Sequence, residues 1–80
     1  MITPEDVKTY IEQGLHCEHI QVAGDGRHFE AVIVSAAFVG KGMLQQHQLV
    51  YRAIGDKMED IHALSMKTFT PEQWAANNNN

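Results

Sequence analysis

Gly24-Asp25-Gly26 stands between two strand-like runs and leaves this chain few folds to choose from. Before it, His19–Ala23 alternates polar and apolar residues, with Ile20 and Val22 on one face. After it, Phe29–Ser35 is rich in β-branched residues on both faces, which fits a strand buried within a sheet. Glycines accept the positive φ that a tight connection requires, so the two runs form an antiparallel hairpin. A third strand-like run, Ile61–Phe69, comes only after a long amphipathic stretch. From Met43 the apolar residues Met43, Leu44, Val50, Tyr51, Ile54 and Met58 share a stripe with His47. That pattern reads as a helix of about four turns, which Gly55 shortens or kinks. A strand reached through a helix that crosses the sheet returns parallel to its predecessor, by a right-handed crossover. The third strand therefore lies parallel to the second, and the sheet is mixed.

Both ends carry the same helix-start signature. Thr3-Pro4-Glu5-Asp6 and Thr70-Pro71-Glu72-Gln73 each place a capping threonine before a first-turn proline, with a side-chain acceptor three residues after the cap. The first is followed by Val7, Tyr10, Ile11 and Leu15 at helical spacing, with Gly14 weakening the last turn. The second opens a short helix that carries Trp74. The order is α-β-β-α-β-α: an α+β domain over residues 1–76, with a three-stranded mixed sheet and its helices on one face. Asn77–Asn80 is of low complexity and is expected to be disordered.

Several function classes are excluded at this level. Eighty residues make one small core with little room for a deep substrate pocket, so the chain is expected not to be an enzyme. No nucleophile–base pair and no pair of carboxylates flanking a cleft can be found. Apolar runs such as Ala31–Val34 are far too short to span a membrane, and MITPEDVKTY has no signal-peptide character. One cysteine, Cys17, allows neither an internal disulfide nor a CxxC motif, which fits a reducing, cytoplasmic setting. A net charge of −4 gives no broad footprint for nucleic acid. Gly24-Asp25-Gly26 lacks the spacing and the Lys-Ser/Thr of a phosphate loop.

The histidines are the remaining chemistry. Parallel neighbours begin at the same end of a sheet, and adjacent strands lie about 5 Å apart, so His28 and His62 come within reach of one shared ion or cluster. Strict alternation puts His28 on the face of Glu30, and His62 with Leu64 and Met66. The loop before His28 must therefore turn that side chain toward the shared edge. His47 belongs near the far end of the sheet and reads as packing. His16, Cys17 and His19 straddle a helix end and a strand start, so their side chains splay apart. Cys17 reads as an inert, buried thiol.

Three stretches, in order, resemble the BolA family: GDGRHFEAVIVSAAFVGK, MLQQHQLVYRAI and IHALSMKTFTPEQW. Within that family they are similar to its small acid-stress-linked, IbaG-like branch, and the resemblance spans residues 3–76. It implies a fold like a class II KH domain. It also implies a non-enzymatic adaptor that pairs with a monothiol glutaredoxin. The pair would hold a bridging [2Fe–2S] cluster with glutathione, for trafficking, maturation or regulation of iron–sulfur supply and for acid-stress response. The family's ligands are a histidine opening the last strand and a histidine or cysteine in the loop between the first two strands. The matching positions here are His62 and His28. With two imidazoles and no thiolate at the site, the isolated chain is expected to hold no cluster, and a homodimer stays open. The alternative is a KH-like, DNA-binding transcriptional regulator, since some members of the family act so. A KH domain grips backbone through a GXXG loop, whereas this chain has Gly40-Lys41-Gly42-Met43. Where many relatives flank the helix histidine with basic residues, this chain reads Gln45-Gln46-His47-Gln48. Lys41, Arg52, Lys57 and Lys67 are left to contact DNA, which would be weak binding.

Overall fold

A computed structural model of the chain describes residues 1–78 and carries the element order read from the sequence. Helix α1 (Pro4–Gly14) precedes β1 (His19–Gly24) and β2 (His28–Val34). A 3-10 turn (Ala36–Phe38) leads into α2 (Met43–Ile54), and a second 3-10 segment (Gly55–Asp60) leads into β3 (Ala63–Phe69) and α3 (Pro71–Asn78). The sheet has the order β1-β2-β3, with β1 antiparallel and β3 parallel to the central strand.

The two threonine caps form as written. Thr3 Oγ1 accepts from the Asp6 amide at 3.1 Å, and Asp6 Oδ2 accepts from the Thr3 amide at 2.9 Å. Thr70 and Gln73 repeat that exchange at 3.1 and 2.9 Å. Each box satisfies donors that a helix start leaves free. Two boundaries differ from the sequence reading by more than one residue, and β2 spans His28–Val34 rather than Phe29–Ser35. Helix α2 stops at Ile54, because Gly55 takes a φ of 62° and carries the chain into the 3-10 segment that holds Met58. Strand β3 opens at Ala63, not at Ile61.

Ile20, Phe29, Ala31 and Ile33 alternate onto one sheet face and pack with Val7 and Ile11 of α1, Val50 and Ile54 of α2, and Phe38 and Ile61. Each large side chain removed from water this way contributes about 1.5–3 kcal/mol. Gln46, though buried, is satisfied throughout. Its Nε2 donates to the Lys41 carbonyl at 2.8 Å and to the Phe38 carbonyl at 3.4 Å, while its Oε1 accepts from Thr68 Oγ1 at 2.6 Å.

The third helix lies elsewhere. Register sets His19, Val34 and Phe69 side by side across the three strands, on the face opposite Ile20 and Ile33. Trp74 of α3 stacks on His19 at 4.8 Å between ring centroids and lies 5.4 Å from the Phe69 ring. The expectation of all helices on one face thus holds for α1 and α2, while α3 closes the end of the other face. The reason is apolar: Val34 and Phe69 sit side by side at one end of that face, where the Trp74 ring stacks on His19 and lies beside Phe69. Helix α3 also runs through Asn77 and Asn78, the first half of the stretch expected to be disordered, and positions 79–80 lie outside the described residues. No helix among the described residues is long and apolar enough to cross a membrane.

Candidate functional site

The site is built at the end of the sheet where β2 and β3 both begin. His28 pairs in register with Ala63, and the Ala63 amide donates to the Arg27 carbonyl at 3.0 Å. That bond fixes the start of β3 one residue after His62. The His28 and His62 rings lie 5.7 Å apart between centroids, edge to face at 88°, and both residues are exposed. The expected proximity is therefore present, but it arises differently. His28 stays on the Glu30 face inside β2. His62 is the residue that departs from alternation, because it falls in the bend before β3 and owes no side to Leu64 and Met66.

Asp25 holds the connection that presents His28. Its Oδ1 accepts from the amides of Arg27 and His28, both at 2.9 Å, and its own amide donates to the His28 carbonyl at 3.2 Å. This is an Asx-type turn, in which a short carboxylate replaces missing backbone partners. The His28 and Arg27 amides hold the Asp25 carboxyl below its ordinary pKa. The flanking glycines do different jobs. Gly26 takes a φ of 99°, which a side chain rarely adopts, whereas Gly24 does not. A Cβ on Gly24 would collide with the His28 carbonyl oxygen and lie 2.6 Å from Phe29 Cδ1.

The remaining histidines stay apart from this pair. His16 is exposed and lies 3.9 Å from Glu18, and His19 stacks on Trp74. Cys17 is half-buried, and its thiol donates to the Leu15 carbonyl at 3.4 Å. Burial, reinforced by Glu12 and Glu18, pushes the Cys17 thiol up to about 11. His47 is half-buried on α2. No group of three or more His, Cys, Asp or Glu side chains is placed to hold a metal among the described residues.

The basic residues are scattered. Lys41 precedes α2 and Arg52 lies in its last turn, about 16 Å further along the axis. Lys57 sits in the following 3-10 segment with its ammonium 5.9 Å from the Tyr10 ring centre, and Lys67 lies on the sheet face opposite the core. Sequence reasoning missed one contributor, Asp25, whose signal was an Asx residue two and three positions before the amides it binds.

The BolA-like protein family model matches residues 1–73. The Acid stress protein IbaG of Escherichia coli K12 is 32% identical over 72 residues, covering 88% of this chain and 86% of that one. The DNA-binding transcriptional regulator BolA of Haemophilus influenzae is 41% identical over 69 residues, covering 85% of this chain and 66% of the other. Among solved structures, a bolA protein homologue from Coxiella burnetii superposes with a TM-score of 0.81 at 47% identity, covering 92% of this chain and 97% of that one. These relatives carry the names of regulators and stress proteins rather than of enzymes. With the family model covering nearly the whole chain and the fold matching throughout, the chain belongs to the BolA-like protein family.

Proposed function

We propose that the chain is a cytoplasmic, non-enzymatic adaptor that pairs with a monothiol glutaredoxin and supplies imidazole from His62 and His28 to a shared [2Fe–2S] cluster. The observation that carries this reading is the exposed pair of rings, 5.7 Å apart, at the starts of two parallel neighbours. Two imidazoles on one tetrahedral ion place their ring centres about 5 Å apart, so the spacing fits a common iron. The donor set fits as well. Two imidazoles leave a four-ligand cluster incomplete, and a glutaredoxin cysteine with glutathione would supply the missing thiolates. His28 and His62 would hold such a cluster through neutral imidazole in place of thiolate, which would raise its reduction potential as in Rieske centres. His28 and His62 must be deprotonated to donate, so acid weakens the complex. That gives a physical basis for a role in acid stress, the property for which the Escherichia coli relative is named.

The test mixes the chain with a monothiol glutaredoxin, glutathione, iron and sulfide under anaerobic conditions. A heterodimer with Rieske-like absorption and circular dichroism is expected. His62→Ala should abolish or reshape that spectrum, and His28→Ala should alter it. An unchanged spectrum and cluster lifetime in His62→Ala removes the assignment.

A second reading, DNA binding, is favoured by the name of the Haemophilus influenzae relative. It would use Lys41, Arg52, Lys57 and Lys67, which the fold distributes over both ends of α2 and the opposite sheet face. A salt titration against duplex DNA separates the two: tight binding with a steep slope at physiological salt favours regulation.

A further inference from the structure

We infer that β1 is a self-association edge, at which two copies of this chain join antiparallel about a two-fold axis and extend the sheet to six strands. The inference does not use the cluster reading: it concerns the outer edge of β1, whereas His28 opens the central strand and His62 precedes the other edge strand.

The backbone supplies the first argument. Strand β1 has a neighbour on one side only. The Asp25 amide bonds to the His28 carbonyl, and antiparallel bonding then alternates along the register His19↔Val34 to Gly24↔Phe29. His19, Gln21 and Ala23 exchange their bonds with β2, which turns the N–H and C=O groups of Ile20, Val22 and Gly24 outward. Free edges are ordinarily blunted by a lysine, a proline or a bulge. The other edge strand, β3, carries Lys67 at its middle, whereas HIQVAG in β1 carries neither lysine nor proline.

Charge identifies the occupant as a second copy. A cavity of ≈ 540 Å³ runs beside β1, lined by Ile20 to Ala23, by Pro4, Glu5 and Lys8 of α1 and by Glu30 and Val32 of β2. A two-fold interface needs a patch complementary to itself. On its α1 side the patch has one acid, Glu5, and one base, Lys8, one helical turn apart, while Glu30 lies across β1 on the far sheet face. Centring the pairing on Val22 sets Val22 against its own copy and Ile20 against Gly24 of the second copy, forming about six backbone hydrogen bonds. The two α1 helices then run antiparallel on the same face, so Glu5 of each meets Lys8 of the other.

Sedimentation equilibrium of the full chain, from micromolar to low-millimolar concentration, is the test, with amide hydrogen exchange as a second readout. A reversible dimer is expected, with the Ile20, Val22 and Gly24 amides gaining protection as concentration rises. Lys8→Glu, at an exposed position, should weaken the dimer by about tenfold. Adding Glu5→Lys to it should restore association. A monomer at every concentration overturns the inference. So does a dimer indifferent to Lys8→Glu, one not rescued by the double exchange, or one that leaves those three amides unprotected, since each places the contact elsewhere.

Discussion

Replacing Gly24 by alanine tests the tightest feature of the candidate site. Gly24 keeps an ordinary φ, so the backbone itself would tolerate a side chain. Space is what forbids it. The new Cβ would collide with the His28 carbonyl oxygen and lie 2.6 Å from Phe29 Cδ1 and 3.0 Å from Phe29 Cα. Carbon atoms settle at about 3.5 Å or more, so the start of β2 must retreat by roughly 1 Å. Phe29 cannot absorb that movement, because it is 1% exposed and held in the core. Two effects oppose each other. Alanine restricts the unfolded chain and thereby stabilises by about 0.4–1 kcal/mol, while overpacking costs about 1–3 kcal/mol. Overpacking wins, because the clash is with backbone and a buried ring rather than with a flexible tip. The expected net loss is about 1–2 kcal/mol, or roughly 5–15 °C in Tm for a domain of this size. Far-UV circular dichroism through a urea titration should show a lower midpoint at unchanged slope. Because the obstacle is the His28 backbone, the imidazole NMR signals of His28 and His62 should also move in Gly24→Ala. A variant as stable as the parent, with both imidazole signals in place, refutes the reasoning.

Three further outcomes are expected. Asp25→Ala should speed exchange of the Arg27 and His28 amides and disturb His28 while leaving the core intact, as followed by amide exchange and imidazole NMR. Since the Asp25 carboxyl is held below its ordinary value of 3.8, its hold on the loop is fully present above that value and is lost only as pH falls further, so the two amides should stay protected across the mildly acidic range. Gln46→Leu should destabilise by about 1–3 kcal/mol in chemical denaturation, because it leaves Thr68 Oγ1 and the Lys41 and Phe38 carbonyls without their partner. Cys17, with its thiol pushed up to about 11, should react slowly with iodoacetamide at neutral pH and quickly once urea unfolds the chain, and Cys17→Ser should leave the cluster spectrum unchanged.

The parts of this fold that were legible are those in which local chemistry and topology agree. Thr3-Pro4 and Thr70-Pro71 carry their own hydrogen-bond partners within four residues, so their helix starts can be read without knowing what packs on them. The parallel course of β3 follows from one helix and one handedness rule. The placement of α3 could not be read in this way. A helix of eight residues has too little periodicity to show which side it covers, and the choice was made by Val34 and Phe69, whose exposure depends on strand alternation and not on anything in Pro71–Asn78.

The histidine pair shows the same division at finer scale. That His28 and His62 share an end of the sheet follows from strand direction alone, and it survives an error of a residue or two in either strand boundary. Whether their rings meet does not survive such an error, because side chains reverse face with every residue. A strand beginning at Ile61 would have pointed His62 into the Leu64 and Met66 side and set the rings on opposite faces. Beginning at Ala63 leaves His62 in a bend, free to turn toward His28. The bond that decides between these cases, from the Ala63 amide to the Arg27 carbonyl, joins residues 36 positions apart and has no sequence signature. What was legible is the tight turn that sets Arg27 in place, Asp25 between two glycines, while the hold of its carboxylate on the Arg27 and His28 amides was not. The site therefore depends on the hairpin turn as much as on its two imidazoles, and substitutions at Gly24 or Asp25 should reach His62 through Arg27 without touching it.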